Sequence, residues 1–200
     1  MEEISLSIMQ EGVVNPVSIW KSNGVEAIDQ GDLAARWFSE WLNASVRLVH
    51  LAKGYRRKVS QEYAVTPNDH TGFADGYPIL IATEASLADL NARMDHSIPM
   101  DRFRPNLVLA GIGAHDEDRI HELRGASGVR LRVVKPCTRC KITTTDQATG
   151  EVRGDEPLRT LATYRFNREL QGVAFGQNAI VVDGAGQVLR VGEELEIRWR

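Results

Sequence analysis

The chain has 200 residues, 42% of them hydrophobic, with a formal net charge of −3 and an isoelectric point near 6.0, which is enough apolar content for one domain or a domain with a small appendage. An acidic balance gives no attraction for nucleic acid or an anionic membrane surface, no apolar run nears the ~20 residues of a spanning helix, and the acidic Met-Glu-Glu start lacks the basic and apolar regions of a signal peptide. Two cysteines are too few for a disulfide scaffold, so a reducing, cytoplasmic setting is expected.

In chain order, residues 4–8 alternate apolar and polar side chains as an edge strand would, and residues 16–20 read as another. Residues 29–43 give the strongest helix. Leu33, Ala34, Trp37, Phe38, Trp41 and Leu42 fall on one continuous face, Asp29 or Asp32 caps the start, Asn43 marks the exit, and the aromatics are expected in the core. Residues 45–52 read as a strand, followed by a basic loop at 53–58 whose adjacent cations suit a solvated face better than a phosphate site. Residues 66–76 lack periodicity and are rich in Pro, Asn, Asp and Gly, the composition of a long binding loop. A short strand at 77–83 precedes a helix to about residue 94, with Ser86 and Asp89 as its capping box. Arg104 stands before Pro105 and is expected to be extended, leading into a buried strand at 107–110. Residues 114–123 fit helix or loop. Residues 129–134 alternate as a half-buried strand, Pro157 opens a helix to about residue 164, and strands at 175–183 and 187–199 close the chain. About eight short strands with three helices define an α+β, barrel-like mixed sheet.

Both cysteines lie in Lys-Pro-Cys-Thr-Arg-Cys at 135–140, between the strand at 129–134 and a second expected at 141–145, with a turn at 146–150. Four readings fit such a pair. Zinc normally needs four ligands, of which this spacing supplies two, and none of the five histidines follows at ligand spacing. A redox pair normally opens a helix, whereas Ile-Thr-Thr-Thr at 142–145 favours a strand. Two inert buried thiols are common, yet Lys135, Thr138 and Arg139 make a dry site improbable. One thiolate beside cations also suits a soft metal.

The stretch 135–150, together with Glu-Pro-Leu-Arg-Thr-Leu-Ala-Thr-Tyr-Arg at 156–165, Phe-Gly-Gln-Asn at 175–178, Phe-Ala-Asp-Gly-Tyr-Pro-Ile-Leu-Ile-Ala-Thr-Glu-Ala-Ser-Leu-Ala-Asp-Leu-Asn at 73–91 and Arg-Phe-Arg-Pro-Asn-Leu-Val at 102–108, resembles the MOSC domain family. The resemblance is closest to its amidoxime-reducing branch and bacterial relatives, in the same order across roughly half the chain. It implies a mixed β-barrel holding a pyranopterin molybdenum cofactor, with Cys140 as the catalytic metal ligand and Asp75, Gly76, Arg104, Asn106, Thr138 and Asn178 approaching the pterin and its phosphate. A tyrosine also occurs in the family where Asn178 stands. The resemblance further implies reduction of N-hydroxylated small molecules with electrons from an external ferredoxin- or flavin-type reductase, because no iron–sulfur cysteine pattern follows. The alternative it carries is a non-redox sulfur carrier or cofactor-handling module, with a persulfide on Cys140. Pyridoxal phosphate is a label of the family at large, and no Schiff-base lysine region of the sulfurase type is present, so none is expected. Residues 1–44 resemble the end of an N-terminal β-rich domain and 45–200 the MOSC domain proper, so the chain as written is expected to lack some phosphate contacts.

Overall fold

The computed structural model describes residues 3–200, so Met1 and Glu2 of the acidic start lie outside the described residues. Two compact units form: the residues up to Val59 with His70–Gly76, and Ser60–Asp69 with Tyr77–Arg200.

In the first unit, β1 (Val14–Ile19) and β2 (Ser22–Asp29) pair antiparallel, α1 (Gly31–Leu42) follows, and β3 (Val49–Leu51) returns to β2. Asp29 Oδ1 accepts from the Gly31 N–H at 2.7 Å, as an N-terminal carboxylate should. The Arg47 guanidinium bound to Asp29 is the main reason its carboxyl pKa falls to about 2. Asn43 ends the helix in the left-handed conformation, φ 48° and ψ 42°, which asparagine tolerates. The expectation that the aromatic face is core is met only in part: Ala34 of that face is buried and Trp37 and Phe38 are half-buried, but Leu33 is 52% and Trp41 63% exposed, and Ala35, off that face, is buried. Amphipathic spacing identified the helix but not how far each side chain on its face is covered. Residues 4–8 form no strand, and the strand expected at 45–52 is confined to β3. β4 (Arg57–Lys58) pairs with β5 (His70–Thr71), giving the expected structureless loop a short ladder. Within the basic run, Arg57 is buried and donates to the carbonyls of Gly72, Ala74 and Asp75. It is a clamp on that loop.

The second unit contains β6 (Ile79–Thr83), α2 (Glu84–Ala92), β7 (Leu107–Leu109), β8 (Ile120–Gly125), β9 (Arg130–Thr138), α3 (Leu158–Tyr164), β10 (Phe166–Asn167), β11 (Gly172–Asp183) and β12 (Leu195–Trp199). The sheet order is β12-β8-β9-β11-β6-β7, with β10 on β11. Only β6 and β7 run parallel, joined through α2, so the sheet is mixed and the class α+β, a curled half-barrel. Ile81 packs into one apolar cluster with Leu123, Leu131 and Val133, while its neighbour Ala82 packs into another with Leu90, Phe103, Leu161 and Phe175. Successive strand residues face opposite sides, so β6 serves both.

Several local expectations fail here for identifiable reasons. The cap of α2 is Thr83, whose hydroxyl accepts from the Ser86 N–H at 3.0 Å, one turn before the expected box. Ser86 is instead fully buried and donates to the buried Glu117 carboxylate at 2.8 Å. The region 114–123 divides into a 3₁₀ turn (Asp116–Arg119) and β8, and the last expected strand forms only as β12. Asp89 is bound by Arg93 at 2.8 Å and His115 at 3.0 Å, and the Arg93 hydrogen bond chiefly holds its carboxyl down to about 2. A carboxyl depressed on folding stabilises above its unfolded pKa of about 3.9 and loses that contribution as the pH falls through the folded value. The wild type should therefore exceed Asp89→Asn by up to about 1 kcal/mol at pH 7, with the gap closing near pH 2. Urea melts at both pH values check this, and a gap undiminished in acid contradicts it.

Candidate functional site

Two irregularities in the β9–β11 ladder shape the second unit around its cysteines. Asn178 pairs with Lys135 but Ala179 with Val133, leaving Val134 as an extra residue on β9. Gln177 pairs with Pro136 but Ala174 with Thr138, leaving an extra residue on β11, where Gly176 has φ +76°. Such bulges re-aim the side chains beside them. Between the two lie Lys135 and Pro136 of β9, paired with Asn178 and Gln177 of β11.

Beyond the bulge the chain stays extended. Arg139 N–H donates to the Val173 carbonyl at 2.8 Å and Cys140 has φ −115° and ψ −178°. Exposure alternates along it: Cys137 and Arg139 are half-buried, Thr138 and Cys140 exposed. Three extended steps of about 3.3 Å separate the two cysteine Cα atoms by roughly 10 Å, beyond the ~7 Å limit of a disulfide. In this conformation the thiols act separately. The second strand expected at 141–145 is a 3₁₀ turn, Lys141–Thr144. Its threonines choose local bonds: Thr143 Oγ1 donates to the Cys140 carbonyl at 3.0 Å and Thr144 Oγ1 to that of Lys141 at 2.7 Å, the hydroxyl competition that overrides strand propensity. The turn at 146–150 forms as expected, with Asp146 Oδ1 accepting from the Ala148 and Thr149 N–H groups. Those backbone bonds, with Arg102, keep the Asp146 carboxyl ionised below its ordinary range.

Sequence reading missed two arginines that brace this segment. Arg102 is 9% exposed and donates to the Thr144 carbonyl at 3.0 Å and to Asp146 at 3.2 Å. In the other direction, Arg139 donates to the Phe103 carbonyl at 2.7 Å and to Cys137 Sγ at 2.9 Å. The cysteine loop is thus tied to the turn Met100–Phe103 from both sides, and Phe103 is stacked on Phe175 at 3.8 Å. The signal was present, since Arg102 lies in the same Arg-Phe-Arg run as Arg104 and Arg139 lies between the cysteines.

Each candidate has a definite place. Arg104 is not extended; it closes the 3₁₀ turn in the left-handed region, φ 53° and ψ 48°, a conformation costing about 1 kcal/mol or more that a non-glycine residue keeps only where its surroundings enforce it. It is exposed and, among the described residues, makes no side-chain hydrogen bond or ion pair. Asn106 spends its Oδ1 on the Leu80 N–H at 2.8 Å while its own N–H donates to the Leu80 carbonyl at 2.9 Å, leaving its amide N–H₂ as the group for a ligand. Asn178, opposite Leu80 on β11, makes only a long 3.4 Å bond to the Pro136 carbonyl. Thr138 and Cys140 point out of the exposed side of the tip, and among the described residues Cys140 Sγ has no hydrogen bond. Asp75 and Gly76 belong to the first unit. There Asp75 Oδ1 accepts from the Trp20 indole at 3.0 Å, and a Cβ at Gly76 would meet nothing within 4 Å.

A free thiol, an unpaired guanidinium, an idle amide and a hydroxyl form a donor set that suits a soft metal carried on a polar, anionic heterocycle. The second unit is thus a half-barrel that presents one exposed thiol from a braced loop. Residues 68–196 match the MOSC domain, and the chain belongs to that family. It is 38% identical over 145 residues to mitochondrial amidoxime reducing component 2 of Bos taurus, covering 71% of this chain and 43% of that protein. With mitochondrial amidoxime-reducing component 1 of Homo sapiens it shares 36% over 178 residues, 84% of this chain and 52% of that protein. The chain spans about half the length of the curated relatives it matches.

Proposed function

We propose that this chain binds a pyranopterin molybdenum cofactor through Cys140 and takes part in the reduction of N-hydroxylated compounds. The observation that carries the reading is the exposed Cys140 thiol, held on a loop braced by Arg102 and Arg139. The resemblance of the chain to amidoxime reducing components supports the reaction class. When bound, the cofactor supplies two-electron reduction and acceptance of an oxygen atom. Cys140 contributes a soft anionic ligand from a fixed direction. Arg104 offers a fork of donors to a phosphate or pterin oxygen, and Thr138, Asn106 and Asn178 add hydrogen bonds to the heterocycle. Electrons come from an external reductase protein, the substrate is a small molecule, and the setting is a reducing compartment in which both cysteines stay thiols.

The test is to purify the chain from a molybdenum-replete host, or load it with isolated cofactor, and measure molybdenum and pterin per chain, then follow amine formation from an amidoxime with a chemical electron donor. About one molybdenum with turnover is expected. A chain that takes up no molybdenum and releases thiocyanate from Cys140 on cyanide treatment is the sulfur carrier instead.

A further inference from the structure

Five arginines of the second unit are buried or half-buried: Arg102, Arg130, Arg132, Arg139 and Arg165. Four have a carboxylate at hand, Arg102 with Asp146 at 3.2 Å, Arg130 with Asp183 at 3.4 Å, Arg132 with Glu122 at 3.1 Å and Arg165 with Asp118 at 2.7 Å. Arg139 has none among the described residues. Its partners are the Phe103 carbonyl and Cys137 Sγ, its Nε is buried without a hydrogen bond, and its guanidinium carbon lies 5.6 Å from the Phe103 ring centroid. A half-buried cation facing only dipoles, sulfur and a ring is costly. Costly charges of this kind cluster at functional sites, where a bound group of opposite sign can complete the pair.

We propose that Arg139 is the counter-charge of the cysteine site: it holds one positive charge behind the Cys137–Cys140 strand that is neutralised only when an anionic, sulfur-rich metal centre binds at Cys140. The inference rests on the cofactor reading above, but it assigns a separate role. Arg139 acts through the field it casts and through the position of the loop, and Cys137 serves as the acceptor that aims it. The charge favours the more electron-rich state of the centre, so it raises the centre's reduction potential and slows its release. The cofactor-free chain carries the opposite consequence, because there the charge is unpaired and its removal relieves the fold.

The test compares Arg139→Lys, which keeps the charge, with Arg139→Gln, which keeps donors for the Phe103 carbonyl but not the charge. In the loaded chain, Arg139→Gln should release molybdenum at least about tenfold faster on gel filtration. Its Mo(V) signal in a dye-mediated titration should also move to lower potential, by about 59 mV for a tenfold change in a one-electron couple. Arg139→Lys should stay close to wild type in both. In the cofactor-free chain, Arg139→Gln should melt at or above wild type. If Arg139→Gln instead melts well below wild type or fails to fold without cofactor, the positive charge stabilises the cofactor-free chain rather than burdening it, and the proposal is overturned. It is equally overturned if the Gln and Lys variants match in potential and release. Failure of the wild type to hold any molybdenum removes the cofactor reading, while the cofactor-free melting comparison still decides whether the cation is unpaired.

Discussion

Cys140→Ser is expected to lower molybdenum retained through gel filtration by tenfold or more, while Cys137→Ser stays within about twofold of wild type. Serine replaces a soft, readily ionised sulfur by a hard hydroxyl that stays protonated at neutral pH, a poor exchange for a metal that favours thiolate. Each factor of ten corresponds to only about 1.4 kcal/mol, a modest demand on a covalent metal–ligand bond. Cys137 differs because its sulfur is half-buried and occupied by Arg139 at 2.9 Å, and a serine oxygen there still accepts from that guanidinium. Metal analysis of the two variants beside wild type decides the matter, and equal metal in wild type and Cys140→Ser removes Cys140 as the ligand. Circular dichroism should show both variants folded, since Cys140 Sγ makes no hydrogen bond among the described residues.

Gly176→Ala should destabilise the fold by roughly 3 kcal/mol, as a left-handed non-glycine residue and a backbone clash each contribute. Gly176 has φ +76°, and a Cβ there would stand 2.5 Å from the Ile81 carbonyl oxygen and 3.3 Å from Leu80 Cδ1. The Ile81 carbonyl belongs to the neighbouring strand and does not swing aside as a side-chain end would. Relief requires β11 to lose its bulge or to part from β6, and either change moves Asn178 relative to Pro136 and Thr138. Denaturant unfolding should show the loss. Gly186→Ala is the control, since its Cβ meets nothing within 4 Å and the same left-handed cost remains, φ +87°. A Gly176→Ala protein as stable as Gly186→Ala contradicts the account.

The sequence by itself determined whatever depends on local pattern. The strand leading to Cys137, the helix opening at Pro157, the Asx turn at Asp146 and the left-handed exit at Asn43 are written in spacing and side-chain type, and each forms. The ordered motifs around Cys140 also identified the family. Tertiary structure alone decided the choices between locally equal options. Residues 141–144 form a 3₁₀ turn because threonine hydroxyls satisfy carbonyls at short range while Arg102 fixes the Thr144 carbonyl from a distant turn. Arg104 is left-handed because its turn and the strand after it, pinned by Asn106 to Leu80, demand it. How deeply α1 is buried was settled by tertiary packing, which buries Ala34 and Ala35 but leaves Leu33 and Trp41 exposed, a gradation an amphipathic stripe does not specify. The unpaired charge of Arg139 was invisible in the sequence for the same reason, since a charge is paired or unpaired only through residues that the fold brings within a few ångströms.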